Sequence, residues 1–295
     1  MSKDYLQRLV FEEVSARAVF VRLESVIEEV LGRDDYPPAV ASLLGEALLV
    51  VALLSSGIKF QGRVCLQLQG HDGLKLLMAD CTDDGGLRGI ARIDDDAQLP
   101  DDRAALFDAL SRGGILTLTL DPSDGGQRWQ GIVPLEGHSL AVAVEAYFER
   151  SEQLTTRVYL GLEGSRAGAL MVQQMPGASE DPDGWNRLQQ LSATLKQDEL
   201  LTLDGQTLFQ RLFHEEQCRL FDARPLRFDC PCSAERVRDV LVSLGVSELT
   251  SLAEEQEILE VRCQFCNEAY HFDAIDVAAM ARDGEGGEQG EPTIH

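Results

Sequence analysis

Four cysteines near the C-terminal end of the sequence could bind a metal ion. They form two close pairs, Cys230-Pro-Cys232 and Cys263-Gln-Phe-Cys266, separated by 30 residues. Zn²⁺ takes four thiolate ligands in a tetrahedron, with Zn–S distances of about 2.3 Å. Two such pairs, held together by a small folding unit, would supply this ligand set. We therefore predict one zinc ion per chain, bound by Cys230, Cys232, Cys263 and Cys266.

The spacing alone leaves several kinds of protein open. A permanently structural zinc ribbon that mediates interactions fits the two pairs. A thiol-disulfide oxidoreductase fits less well, because its CxxC would follow a strand and open a helix in a βαβ unit. Here Cys263 and Cys266 occur in a hairpin-like context. Nucleic-acid binding is disfavoured, because residues 230–273 carry nine acidic and three basic side chains.

The elements around these cysteines predict a small domain over residues 230–282. Ile258–Val261 is typical of a strand that leads into the CxxC, and residues 270–272 are typical of its hairpin partner. A domain of so few residues cannot keep a hydrophobic core together without a cross-link, so the metal should supply much of the domain's stability. A further helix is expected from Ser247. The Gly- and Glu-rich tail, residues 283–295, is predicted to be disordered.

A larger domain of α+β class is predicted over residues 1–176, because strands occur in hairpins with helices apart from them. The sequence patterns predict strands at Arg17–Leu23, Gln61–Gln69, Leu74–Cys81, Leu87–Ile93, Ile115–Leu120, Arg128–Leu135, Arg157–Leu162 and Ala169–Met175. They predict helices at Ser25–Leu31, Pro37–Gly57, Ala104–Leu110 and Leu140–Arg150. We expect the strands to form an antiparallel sheet.

The segment from Ala39 to Gly57 is nearly apolar enough to span a bilayer. It contains Glu46 and several serines, so we predict a buried amphipathic helix and no membrane association. The first eleven residues carry charges throughout and lack the apolar core of a secretory signal. Seven cysteines, an odd number, argue against a secreted disulfide framework. These features predict a cytoplasmic protein.

Residues 177–229 are predicted to form a helical linker between the two domains. Asp204 can cap a helix whose apolar stripe is Leu208, Phe209, Leu212 and Phe213. A second helical pattern runs from Trp185 to Leu195, and a polar run separates the two. Short isolated helices are marginal in water, so this linker must pack against another surface to be stable.

The net charge of the whole chain is strongly negative. The chain has 50 acidic and 26 basic residues, a formal net charge of −24, which again disfavours nucleic acid as a partner.

Cys65, Cys81 and Cys218 lie in apparent strands or beside apolar residues. We predict that these three are buried, inert thiols, because a free cysteine packs as a small hydrophobe.

The sequence resembles a known family, the bacterial redox-regulated heat-shock chaperone of about thirty-three kilodaltons. The most specific feature is the CxC and CxxC separated by about thirty residues, within Arg224–Arg236 and Val261–Cys266. Shorter blocks in the N-terminal part also match, at Asp35–Ala39, Leu66–Gly70, Leu87–Ala91 and Ser151–Leu154. The resemblance extends over nearly the whole chain.

This resemblance implies a chaperone and not an enzyme. It implies a reduced, zinc-bound and inactive state, which oxidants convert by forming the disulfides Cys230–Cys232 and Cys263–Cys266 and expelling zinc. The linker would then unfold, and the protein would hold unfolding client proteins without ATP, as a homodimer. Leu208, Phe209, Leu212 and Phe213 are the candidate client-binding residues.

Two expectations concern the order of these events. The Cys263–Cys266 knuckle is tight, whereas residues i and i+2 of an extended strand lie about 6.6 Å apart, near the upper Cα limit for a disulfide. We therefore predict that Cys263–Cys266 forms first. The linker's apolar stripe can pack as core against the first domain or rest on the zinc-binding domain, and in both cases we expect the loss of the metal to free it.

Overall fold

The structure, a computed structural model, describes residues 3–57, 61–70, 73–177, 180–243, 251 and 258–285. The chain divides into two compact units, Met1–Asp229 and Cys230–His295. The strands of the first unit are β1 (Tyr5–Phe11), β2 (Ala16–Leu23), β3 (Gly62–Gln69), β4 (Leu74–Thr82), β5 (Gly86–Ile93), β6 (Ile115–Pro122), β7 (Trp129–Pro134), β8 (Thr156–Glu163), β9 (Arg166–Gln174), β10 (Cys218–Leu220), β11 (Arg224–Pro225) and β12 (Arg227–Phe228).

These strands form two six-stranded sheets. The first has the order β10-β1-β2-β9-β8, with β11 also paired with β1, and all its pairs are antiparallel. The second has the order β12-β5-β4-β3-β6-β7. It is antiparallel except at one edge, where β12 runs parallel to β5. The prediction of an α+β fold with antiparallel sheets is confirmed.

The helices of the first unit are α1 (Ser25–Leu31), α2 (Pro38–Ser55), α3 (Arg103–Ser111), α4 (Leu140–Tyr147), α5 (Gly184–Ala193), α6 (Gln197–Thr202) and α7 (Gly205–Phe213). A single π-helical turn, Phe148–Glu152, continues α4. Helix α2 contacts strands of both sheets. Among the described residues it is the one helix long and apolar enough to cross a membrane, and 78% of it is buried. It is therefore a core helix, but not the amphipathic one expected, because neighbours cover it nearly all round.

Strand β2 shows how the first unit builds two separate cores. Its residues Val19, Val21 and Leu23 belong to the large core around α2. The intervening Ala18 and Phe20 belong to a second core on the opposite face of the same sheet. Successive side chains of a strand point to opposite faces. Here both faces are therefore buried, and β2 lacks the polar–apolar alternation of a half-exposed strand.

The linker helices α5, α6 and α7 form the cover of this second core. Their buried side chains pack with those of β1, β2 and β9, in a cluster of Leu9, Phe11, Val14, Ala16, Ala18, Phe20, Leu170, Val172, Leu188, Leu200, Leu208, Phe209, Leu212 and Phe213. Of the two surfaces expected for the stripe of α7, the structure shows the first domain. The stripe rests on a sheet of the first unit, because the odd-numbered apolar residues of β1 and the matching face of β2 need a cover.

Polar contacts also fasten the linker to this sheet. Arg22 of β2 donates hydrogen bonds to the carbonyl oxygens of Leu200, Leu201 and Leu203, around the C-terminal end of α6. The backbone N–H of Gly205 donates to the hydroxyl of Tyr5 at 2.9 Å. These bonds satisfy helix-terminal groups that would otherwise need water.

The end of the linker runs along the sheet edges towards Cys230. Arg224 Nη2 donates to Ser55 Oγ at 2.7 Å, and the Asp229 N–H donates to the carbonyl of Leu87 at 2.9 Å. The Thr82 hydroxyl and the Arg227 guanidinium together lower the pKa of Asp84 to about 2. These contacts place Cys230 directly after a segment that is bonded to the first unit. Gly85, with φ +94°, forms the turn that receives this segment.

The second unit contains α8 (Ala234–Ser243), β13 (Ile258–Arg262), β14 (Ala269–Asp273) and α9 (Ala274–Glu285). The two strands form an antiparallel hairpin, as expected from the sequence. A small core joins the hairpin to both helices through Leu241, Leu259, Phe272, Val277 and Met280. The helix expected from Ser247 lies outside the described residues, as does the tail beyond residue 285. Helix α9 includes residues 283–285, which were assigned to a disordered tail.

Two elements of the first unit differ from the sequence predictions. Residues 5–11 form strand β1, which was not predicted, and the polar run around Gln197 is the start of helix α6. Cys218 also differs from expectation, because it is exposed, whereas Cys65 and Cys81 are buried. Cys218 lies in β10, an edge strand of the first sheet opposite Phe11, where no neighbouring strand covers it among the described residues.

Candidate metal centre

The second unit brings together the four cysteines that the sequence singled out. The sulfur atoms of Cys230, Cys232, Cys263 and Cys266 all lie within 4.8 Å of one another. Cys230 Sγ is 3.7 Å from Cys263 Sγ, and Cys232 Sγ is 3.2 Å from Cys266 Sγ. Cys266 is buried and the other three are partly buried. The CxC and the CxxC therefore contribute to one site.

This arrangement fits a zinc ion. Four sulfurs at about 2.3 Å from a central ion lie about 3.8 Å from each other in a regular tetrahedron. The Cys230–Cys263 sulfur distance of 3.7 Å matches this value, and the Cys232–Cys266 distance of 3.2 Å is shorter. Each of these two distances joins a sulfur of the CxC to a sulfur of the CxxC, so they are two edges of one four-sulfur cluster. They do not select a disulfide pairing, so the pairing within each motif stays a prediction.

The CxxC forms a tight knuckle between strands β13 and β14. The backbone N–H of Cys263 donates to the carbonyl of Glu268 at 2.9 Å, and that of Asn267 donates to the carbonyl of Cys263 at 2.8 Å. Asn267 has φ 57°, in the left-handed region that asparagine tolerates better than most residues. The hairpin thus reverses direction within a few residues and presents both sulfurs on one side.

The knuckle also favours an ionised thiol. Burial opposes ionisation of Cys263, but hydrogen bonds from the backbone N–H groups of Cys266 and Phe265 lower its pKa to about 7. Burial raises the pKa of Cys230, and also that of Cys266. The thiolate is the form that binds metals and that oxidants attack. A site of this kind can therefore bind a thiophilic metal and can also undergo thiol oxidation.

Two side chains that were not predicted to belong to the site, Tyr270 and Arg236, contact the CxC, and His271 has a different partner. The Tyr270 hydroxyl lies 3.1 Å from Cys232 Sγ, and this hydrogen bond raises the pKa of Tyr270. Arg236 Nη1 donates to the carbonyl of Pro231, between the two cysteines of the CxC, at 2.6 Å. His271, the histidine closest in sequence to the CxxC, instead has Nδ1 3.7 Å from Glu260 Oε2.

The candidate client-binding residues are not accessible in this structure. Leu208, Phe209, Leu212 and Phe213 have exposed fractions of 2% or less. They line the core between the linker and the first sheet. Any role in binding other proteins would require α7 to leave that sheet.

The fold and the site define the class of protein, an α+β unit followed by a small unit whose four clustered cysteines could hold a metal ion. The family model described as Hsp33 protein matches residues 4–273. A 33 kDa chaperonin of Methylobacillus flagellatus is 41% identical over 280 residues, 94% of this chain and 94% of its own length. A 33 kDa chaperonin of Pseudomonas savastanoi pv. phaseolicola is 44% identical over 287 residues, covering 95% of this chain and 94% of its own.

The chain belongs to the Hsp33 family. Membership makes it a protein of the chaperone class and confirms the resemblance that the CxC and CxxC indicated. The fold agrees with a crystal structure of the 33 kDa chaperonin from Thermotoga maritima, with a TM-score of 0.83 and 21% identity. That comparison covers 96% of this chain and 99% of the other, so the two proteins share both units of the fold.

Proposed function

We propose that this chain is a redox-regulated chaperone that prevents aggregation of unfolding proteins without ATP. In its reduced state Cys230, Cys232, Cys263 and Cys266 would hold one zinc ion, and oxidation of these residues would activate it. The observation that carries the proposal is the four-sulfur cluster, in a unit whose core, as far as the structure describes it, holds only a few large side chains. We place its action in the cytoplasm, and its active form as a homodimer.

Bound zinc would keep the four thiols deprotonated at neutral pH and would supply much of the folding energy of the second unit. The oxidation itself uses the chain's own sulfurs. Two thiolates, one peroxide molecule and two protons give one disulfide and two water molecules. We propose the pairs Cys230–Cys232 and Cys263–Cys266, so that two peroxide molecules remove all four ligands.

The linker, residues 177–229, would respond because its C-terminal end is joined directly to Cys230. Strands β10, β11 and β12 contribute only two or three residues each to the sheets. Short edge pairings of this length open more easily than the central strands. Once the second unit unfolds, these short pairings still hold the linker's end in place, together with side-chain contacts such as the Arg224–Ser55 bond and the Arg227–Asp84 ion pair.

Release of the linker would uncover apolar surface on two sides. The stripe of α7 would become accessible, and so would the sheet face beneath it, which includes Phe11 and Phe20. Contiguous apolar surface of this kind is what marks protein-binding sites. We propose that unfolding client proteins bind there, with Leu208, Phe209, Leu212 and Phe213 among the contact residues.

A constitutive zinc-ribbon interaction protein is the main alternative, because the same four sulfurs would suit it. The two functions differ in what oxidation does. A structural ribbon loses activity with its zinc, whereas the proposed switch gains activity. Thiol-disulfide oxidoreductase activity is a weaker alternative, because the CxxC lies in the turn of an antiparallel hairpin and does not open a helix.

Native mass spectrometry and a light-scattering assay test the proposal together. The reduced chain is expected to carry one zinc, and a Cys263→Ser variant to lose it, while Cys218→Ser serves as the matched control outside the cluster. Aggregation of a heat-unfolding client should be suppressed by protein treated with peroxide and heat, without nucleotide, and not by the reduced protein. Equal protection by both forms would favour the structural ribbon.

Timed alkylation with peptide mapping would follow the disulfides, and hydrogen exchange on the same samples would follow the linker. We expect Cys263–Cys266 to appear before Cys230–Cys232, and protection of residues 185–221 to fall as zinc is lost. A linker that stays equally protected after zinc loss would contradict the proposed coupling.

A further inference from the structure

The hydroxyl of Tyr270 contacts one of the four cysteines in particular. Tyr270 lies on β14, paired with Val261 of β13, and its ring packs against the small core of the second unit. Its Oη donates a hydrogen bond to Cys232 Sγ at 3.1 Å. The hairpin fixes the backbone and the core fixes the ring, so the hydroxyl is held at that sulfur by the fold.

The loop that carries Cys232 is fixed as well. Arg236, in the first turn of α8, donates to the carbonyl of Pro231 at 2.6 Å, and its backbone N–H donates to Ser233 Oγ at 3.2 Å. These bonds hold the residues on both sides of Cys232 and so keep its backbone in position beside the phenol. The contact joins two segments distant in sequence, the CxC loop and the second strand of the hairpin.

A hydrogen bond donated to a thiolate changes its chemistry in a definite direction. The bond stabilises the negative charge and occupies a sulfur lone pair, so that sulfur is a poorer nucleophile towards an oxidant. Hydrogen bonds from residues around a metal site also fix the ligand's orientation, and removing them typically lowers metal affinity about 10- to 100-fold. Both effects slow the loss of the metal.

We propose that Tyr270 is a positioning residue that makes Cys232 the last of the four cysteines to be oxidised and thereby sets the rate of zinc release. The inference rests on the zinc binding proposed above. In the step concerned, a thiolate attacks peroxide, the O–O bond breaks, and a sulfenic acid and hydroxide form. A second thiolate then displaces hydroxide from that sulfur, which gives the disulfide. With its lone pair engaged by Tyr270, Cys232 is disfavoured as the first attacking sulfur.

The test compares Tyr270→Phe with the wild-type full-length chain. Phenylalanine keeps the ring and removes the hydroxyl. Tyr159→Phe is the matched control, because Tyr159 belongs to the first unit and its hydroxyl lies 3.1 Å from Ser192 Oγ. Zinc release under peroxide is followed with a chromogenic chelator, and the order of cysteine oxidation by timed isotopic alkylation.

We expect Tyr270→Phe to release zinc several-fold faster and to bind it about 10-fold more weakly, with Tyr159→Phe unchanged. Cys232 should move from last towards first in the order of modification. The cobalt-substituted protein should show a shifted sulfur-to-cobalt charge-transfer band, which reports the thiolate directly. Equal acceleration of all four cysteines would mean that Tyr270 contributes packing alone, and the proposal would be wrong.

A second variant covers the case in which Tyr270→Phe does not hold metal at all. Site-specific replacement of Tyr270 by a fluorinated tyrosine keeps the shape and makes the phenol a stronger donor. It should slow zinc release and the oxidation of Cys232, and an unchanged rate would overturn the inference. A wild-type chain that binds no zinc would refute the proposed function itself. One zinc per chain with no response to these variants would refute only the role of Tyr270.

Discussion

Phe209→Ala tests whether the linker helices restrain the activity of the reduced protein. Phe209 is 2% exposed, and its ring centroid lies 6.4 Å from that of Phe20 on β2 and 6.5 Å from that of Phe213. Truncating a buried phenylalanine to alanine costs about 3–5 kcal/mol. If the linker opens on its own, a loss of about 3 kcal/mol raises the open population about 150-fold.

Hydrogen exchange measured by mass spectrometry would follow the linker in the reduced, zinc-loaded variant, together with suppression of client aggregation. We expect faster exchange across residues 184–213 and measurable chaperone activity without any oxidant. Phe107→Ala is the matched control. Phe107 is also 2% exposed but belongs to the core around α2, so the same substitution there destabilises the unit without selectively releasing the linker.

Two results would refute the reasoning. If Phe209→Ala exchanged faster in the linker but stayed inactive while reduced, an open linker would not be enough for activity. If Phe107→Ala produced the same activity at the same loss of stability, general unfolding and not linker release would be the cause. Zinc content must remain one per chain in both variants for the comparison to hold.

Arg22→Ala removes the guanidinium that binds three carbonyl oxygens around α6, and we expect linker stability to fall by about 1.5–3 kcal/mol. This loss should be seen as faster hydrogen exchange at residues 197–204, and unchanged exchange there would contradict the role of Arg22. Burial raises the pKa of the Cys65 and Cys81 thiols to about 12, so at pH 8 roughly one thiol in ten thousand is ionised. We therefore expect alkylating reagents to label the exposed Cys218 in the folded protein and to leave Cys65 and Cys81 unlabelled until the protein unfolds. Labelling of Cys65 or Cys81 in the folded protein would contradict this prediction.

The clustering of the four cysteines could be predicted because it depends on residue type and spacing. The CxC, the CxxC and the strand–turn–strand pattern between Ile258 and Phe272 are all local in the sequence. Tyr270 as a contact of Cys232 could not be predicted with the same means. That contact depends on how the CxC loop lies across the hairpin, and no local pattern encodes it.

The missed elements of the first unit have a common physical cause. Strand β1 carries Arg8 among apolar residues that divide between two cores, so its pattern is not the alternation of a half-exposed strand. Helix α6 begins with polar residues, and its buried residues, Leu200 and Leu201, lie in its second half. It is stabilised by packing on the first sheet and by Arg22, which lies some 180 residues earlier in the chain. Tertiary contacts of this kind override local propensity.

The two-faced first sheet explains why releasing the linker need not unfold the first unit. Side chains on one face of β2 and β9 belong to the core around α2, and those on the other face belong to the core under α5–α7. The large core around α2 also includes strands of the second sheet, which do not depend on the linker helices. The second core needs those helices as its only described cover. Opening it would therefore expose Phe20 and Leu170 on a sheet that the first core still holds in shape. A binding surface of this kind has a rigid base and a mobile apolar partner, and both follow from strand alternation within β2 and β9.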